Sequence, residues 1–142
     1  MSYDALKLEN QLCFPLYACS KEVVRLYKPF LDEIGLTYTQ YIAMMVLWAR
    51  QAVSVKDLGE ALYLDSGTLT PLLKKMELQG QVSRNRDPKD ERSVIVSLTD
   101  VGKSLREKAI DVPKRIGSCI PLTGEEAKTL SLLLYKILST IK

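Results

Sequence analysis

Histidine is missing from all 142 residues, and with it goes every catalytic triad or metal site that depends on imidazole. Cysteine is scarce. Cys13, Cys19 and Cys119 form neither an even set nor a C-x-x-C pair, which argues against structural zinc and against a secreted disulfide scaffold, and leaves these thiols as the only strong nucleophiles. Long apolar runs are also lacking: the longest, Tyr41 to Ala49, falls far short of the roughly 20 residues needed to cross a bilayer. The stretch Met1 to Gln11 is polar and does not read as an export signal, so a cytoplasmic chain with no membrane partner is expected. Nor does one charge dominate, since 20 basic against 17 acidic residues leave only +3. So mild an excess does not name a partner. Repeats and low-complexity segments are absent, and 46% hydrophobic content over this length fills one core, so a single domain with appended helices is expected.

What is present is helical periodicity. Leu12, Leu16, Cys19, Val23, Leu26 and Phe30 recur at steps of four and three and predict a long helix from about Lys7 to Asp32. Gly35 breaks the pattern. A second helix is expected from Tyr38 to Arg50, a third from Val55 to Leu62 behind the N-cap Ser54, and a fourth from Ser66 to Gln79 behind the N-cap Asp65. Val82 to Arg86 and Ser93 to Leu98 alternate as strands around a turn, Asp87 to Glu91. Thr99 caps a fifth helix toward Ile110, and Thr123 with Glu126 forms a capping box for a sixth reaching Ile141. That sixth helix carries Leu130, Leu133, Leu134, Ile137, Leu138 and Ile141 on one stripe, too long for a small lobe to cover, and pairing across a two-fold axis would bury it.

Two short helices followed by a charge-tipped hairpin, between Ser54 and Leu98, are the layout of a winged helix-turn-helix. On the fourth helix Leu69, Leu72, Leu73 and Met76 share one face, while Gly67, Thr70 and Lys74 share the opposite one. Ser66, Gly67 and Thr68 occupy its first turn, where free N–H groups attract phosphate. Residues 66–92 bring together Lys74, Lys75, Arg84, Arg86, Lys89 and Arg92 against four carboxylates. A short, polar, cationic helix face beside a basic hairpin predicts double-stranded DNA as partner. Arg92, flanked by Asp90, is the candidate for the groove-reaching tip of the wing. The alternative is a winged module that binds only protein.

Cys13 lies off the apolar stripe and shares a face with Tyr17 and Tyr27. Tyr27 is 14 residues on, about 21 Å along a straight helix, so the two cannot touch within one chain. A Tyr27 that serves Cys13 must therefore come from an antiparallel partner, which would put a redox site at a dimer interface. The ordinary alternative is a packing role for both. For Cys19, on the stripe, a small buried hydrophobe is expected.

Four runs carry a family likeness: Leu8-Glu-Asn-Gln-Leu-Cys-Phe, Thr37-Tyr-Thr-Gln-Tyr, Leu62-Tyr-Leu-Asp-Ser-Gly-Thr-Leu-Thr-Pro-Leu-Leu-Lys-Lys-Met and Asp90-Glu-Arg-Ser-Val. Together they resemble the organic hydroperoxide resistance regulators, a branch of the MarR family, over nearly the whole chain. The resemblance implies a mainly α fold with a small β-hairpin. It further implies a homodimeric repressor that holds a pseudo-palindromic operator until an organic hydroperoxide oxidises Cys13. By the same resemblance, Tyr27 and Tyr38 are the phenols supplied by the other subunit, Tyr17 is a further tyrosine beside the cysteine, and Cys119 is the candidate resolving thiol, a low-molecular-weight thiol being the alternative. Asp65, Ser66, Gly67, Thr68, Thr70, Lys74 and Lys75, with Arg84, Arg86, Asp90 and Arg92, are the expected DNA-binding set. One MarR-type domain over 1–142 is expected, with dimerisation helices in 1–35 and 100–142 and the winged lobe in 38–98. No enzyme activity, cofactor or metal is expected. Two other readings stay open: a MarR-type repressor released by a small aromatic ligand, and a thiol peroxidase built on Cys13.

Overall fold

Pro15 decides where the first helix begins. Only the first four residues of a helix can do without an N–H, and a start at Lys7 would put Pro15 in the interior. In the computed structural model, which describes residues 2–141, helix α1 instead spans Cys13–Asp32, with Pro15 as its third residue. The chain before it folds into two 3-10 turns, Asp4–Leu6 and Leu8–Asn10. Gln11 Nε2 braces them, donating to the carbonyls of Ala5 and Lys7 at 2.7 Å each. Cys13 is thus the first helical residue rather than one buried in a longer helix.

Helix α2, Tyr38–Arg50, opens on a capping box that the sequence reading did not mark. The Gln40 N–H donates to Thr37 Oγ1 at 3.3 Å and the Thr37 N–H to Gln40 Oε1 at 3.0 Å. A three-residue strand, β1 (Ala52–Ser54), leads into α3, Val55–Leu62, whose Asp57 N–H is capped by Ser54 Oγ at 3.0 Å. Tyr63, in the left-handed region at φ 57°, turns the chain into α4, Ser66–Leu78. Gly59 lets the two helices meet closely, because a Cβ there would lie 2.8 Å from the Leu64 carbonyl and 3.0 Å from Leu69 Cδ1. Strands β2, Val82–Asp87, and β3, Asp90–Leu98, form the expected hairpin. β1 pairs with the other side of β3, giving an antiparallel sheet of order β1-β3-β2. Helix α5, Asp100–Ala109, follows behind Thr99, whose hydroxyl accepts from the Gly102 N–H at 3.1 Å.

The structure is mainly helical with this one small sheet, as expected. It divides into two compact units, Met1–Val112 and Pro113–Lys142. The first has a core of Leu31, Met44, Leu47, Leu58, Leu69, Leu73, Met76 and Val96, all fully buried. By contrast, Leu12, Phe14, Leu16, Val24 and Leu26 of the first helix region are exposed, and so is Cys19, which was expected to be buried. A short helix not foreseen in the sequence, α6 (Val112–Gly117), precedes α7, Gly124–Ile141. The capping box of Thr123 and Glu126 forms as expected, at 2.9 and 3.2 Å. No residue of α7 is buried: on its apolar stripe Leu133 is 54% exposed and Ile141 70%. An amphipathic helix with a bare apolar stripe is built to pack on something else.

Candidate nucleic-acid interface and redox site

The two faces of α4 separate cleanly. Leu69, Leu73 and Met76 are buried, and Ser66, Gly67, Thr68, Thr70, Lys74 and Lys75 are exposed. Asp65 caps the helix, its Oδ1 accepting from the Thr68 N–H at 2.8 Å. Hydrogen bonds from the Thr68 hydroxyl and then its backbone N–H hold the Asp65 carboxyl below its ordinary value. Its first task is therefore structural. Pro71, inside the helix, withholds the donor that the Gly67 carbonyl would otherwise meet one turn on.

The wing turns more tightly than the expected Asp87-to-Glu91 loop. Asp87 pairs with Asp90, leaving Pro88 and Lys89 as the turn, with an irregular register between Arg86 and Asp87. Asp87 Oδ1 accepts from the Lys89 N–H at 2.9 Å. Asp90 Oδ1 accepts from the backbone N–H of Arg92 at 3.1 Å, so it orders the strand under Arg92 rather than its guanidinium. Arg92 itself is exposed. Arg86 donates through Nη1 to the Glu91 carbonyl at 2.7 Å and is likewise exposed. Arg84 differs from both: its guanidinium is half-buried and paired with Glu77 of α4 at 3.2 Å. Its guanidinium is thus engaged within the fold, a pairing that needed the Glu77 contact to be seen.

Cys13 is the first residue of α1 and its thiol is free and exposed. Tyr17, one turn on, is exposed, with Lys21 Nζ 5.2 Å from its ring centre. Tyr27, also on α1, packs instead against Tyr38 of α2, with centroids 4.8 Å apart and ring planes tilted by 58°. The helix between Cys13 and Tyr27 is unbroken. Tyr41, which the sequence reading did not single out, joins the pair at 5.7 Å from Tyr27 and 6.4 Å from Tyr38. Burial pushes the phenols of Tyr27 and Tyr41 up from their ordinary value, with the neighbouring phenols adding to the effect, so both remain neutral donors near pH 7. Cys119, in the second unit, is an exposed free thiol whose Sγ donates to the Arg115 carbonyl at 3.4 Å. Among the described residues no cluster of three metal-ligating side chains comes together, and no helix is long and apolar enough to cross a membrane.

A helix with a polar cationic face, a basic hairpin beside it and a short connecting helix define the winged-helix class of transcriptional regulators. Comparison with known proteins agrees. The family profile of the transcriptional regulator SarA/Rot matches residues 25–109. The organic hydroperoxide resistance transcriptional regulator of Bacillus subtilis is 52% identical over 139 residues, covering 98% of this chain and 95% of its own length. Reduced AbfR bound to DNA superposes with a TM-score of 0.82 at 33% identity, over 99% of this chain and 96% of that one. Disulfide-formed AbfR superposes at 0.66 and 35% identity, over 95% of each chain. The chain belongs to the SarA/Rot family of transcriptional regulators, and its likeness to an organic hydroperoxide resistance regulator is the one the four sequence runs implied.

Proposed function

We propose that this chain is a dimeric, cytoplasmic repressor that grips a pseudo-palindromic operator while Cys13 is reduced and lets go when an organic hydroperoxide oxidises it. The observation that carries the reading is the separation of Cys13 from its expected phenols. Cys13 opens α1, whereas Tyr27, about 21 Å along the same helix, is packed against Tyr38. A second copy running antiparallel would bring the phenol pair of one protomer to the thiol of the other, and would cover the exposed apolar residues of α1. The bare stripe of α7 supports the same use. On this reading residues 1–35 and 100–142 dimerise and 38–98 form the DNA-binding lobe.

The chemistry is a two-electron oxidation. The Cys13 thiolate attacks one peroxide oxygen, the O–O bond breaks, and the other oxygen leaves as an alcohol after taking a proton. Sulfur becomes sulfenic acid and the peroxide is reduced. The phenols of Tyr27 and Tyr38 donate hydrogen bonds to the thiolate and to the leaving oxygen. The sulfenic acid then condenses with the Cys119 thiol, or with a low-molecular-weight thiol, releasing water and forming a disulfide. Docking of two recognition helices in successive major grooves demands a separation of roughly 34 Å, so a small displacement between lobes ends the grip.

On DNA, the exposed α4 face of Ser66, Gly67, Thr68, Thr70, Lys74 and Lys75 enters the major groove, and Arg92 extends the wing along the duplex. The test is Cys13→Ser. It should bind DNA as the parent does and stay bound when cumene hydroperoxide is added, with mass spectrometry showing oxidation at Cys13 of the parent only. Release of the serine variant by peroxide overturns the reading, and release by an aromatic ligand with all thiols reduced replaces it.

A further inference from the structure

Tyr27 and Tyr38 do not stand alone. Behind them is buried Tyr41, which meets Trp48 of α2 edge-on, with centroids 6.4 Å apart at 68°. Trp48 Nε1–H donates to the carbonyl of Gly102 at 2.9 Å, joining residues 54 apart in the chain. The Gly102 N–H in turn donates to Thr99 Oγ1 at 3.1 Å, and that hydroxyl donates to the Gly80 carbonyl at 2.6 Å. The Thr99 N–H donates to the neighbouring Gln81 carbonyl at 3.2 Å. Gly80 and Gln81 close the recognition helix, their N–H groups bonding the carbonyls of Glu77 and Met76 at 3.0 Å each. The joint at Gly102 has no slack, because a Cβ there would run into the Gln81 carbonyl and Leu98 Cδ2.

We propose that Trp48 is the positioning residue through which the state of Cys13 reaches the recognition helix. The route runs from the phenol pair through Tyr41 and the indole N–H to the first turn of α5, and from Thr99 to the end of α4. The proposal rests on the redox reading above. Its physical warrant is contiguity: every link is a ring contact or a hydrogen bond, and Tyr41 and Gly102 along it are buried. When oxidation of a partner's Cys13 moves the Tyr27 and Tyr38 rings, Tyr41 follows, and the indole drags the Gly102 carbonyl and with it the two carbonyls that end α4. Trp48 touches neither peroxide nor DNA. It positions α4 through α5.

Trp48→Phe removes the indole N–H and leaves a smaller aromatic ring beside Tyr41. The reduced variant should hold a duplex selected for binding to the parent with the parent's affinity, and its Cys13 should be oxidised by cumene hydroperoxide as fast, by mass spectrometry. The fall in duplex affinity on oxidation should shrink roughly tenfold. A variant that is oxidised and released like the parent overturns the relay while leaving the redox reading intact. A parent that keeps its duplex with Cys13 fully oxidised overturns both, and that arm is read without any substitution at Trp48. Should the variant fail to fold, the unmodified protein decides, because Trp48 is its only tryptophan. Its emission should shift when Cys13 is oxidised and stay constant in Cys13→Ser; emission that ignores oxidation in the parent overturns the relay.

Discussion

Arg84 is held twice by Glu77: its backbone N–H donates to Oε2 at 3.0 Å and its Nη2 to Oε1 at 3.2 Å. One carboxylate on the last turns of α4 thereby ties that helix to the start of β2. Glu77→Ala should cost about 1 kcal/mol in urea unfolding, since the bonds are charge-assisted but the carboxylate is partly exposed and screened. The same variant should weaken DNA binding by freeing the wing, with reduced and oxidised protein affected alike.

Lys74 and Arg92 stand on the two exposed elements assigned to DNA. Lys74→Ala and Arg92→Ala should each lower affinity across unrelated duplexes and reduce the slope of log affinity against log salt by about one unit. An unchanged slope for Arg92→Ala takes the wing off the duplex.

Neutral phenols at the redox site have a measurable consequence. Burial raises Tyr27 and Tyr41 above 10.0, so their protonated forms are favoured by folding. The resulting stability is fully present below pH 10 and is lost as pH rises through the folded-state values. Absorbance titration at alkaline pH should show a late-ionising phase, and Tyr27→Phe should remove one step from it.

In the proposed mechanism Cys119 is separable from the sensing chemistry. Cys119→Ser should leave peroxide-induced sulfenic acid at Cys13 intact and abolish the protein disulfide on non-reducing gels in the absence of added thiol. Identical gels for variant and parent remove Cys119 from the mechanism and leave a small thiol as the resolving partner.

Local signals made much of this molecule readable in its sequence. The caps at Ser54, Asp65, Thr99 and Thr123 and the apolar stripe of Leu69, Leu73 and Met76 depend on neighbours within a turn or two, and each holds in the structure. The features that were missed depend on distant partners or on short segments. β1 has only three residues, too few to show alternation, and exists because it pairs with Ile95, Val96 and Ser97 of β3. α6 has six residues, too few for an apolar periodicity to show. The true start of α1 was legible in Pro15, but the apolar periodicity through Leu12 outweighed it. At the candidate site, residue types distinguished α4's faces but not Arg84 from Arg86, because only the fold brings Glu77 to one of them. Tyr41 and Trp48 read as ordinary core residues until Gly102 is seen against the indole.

A mixed dimer tests the central claim most directly: one protomer carries Cys13→Ser and the other carries Tyr27→Phe with Tyr38→Phe. If each thiol is served by the opposite subunit's phenols, the single remaining Cys13 has both tyrosines and should react with cumene hydroperoxide at the parent's rate. If instead it reacts as slowly as the homodimer lacking both phenols, the site is not shared between subunits and the proposed sensor is wrong.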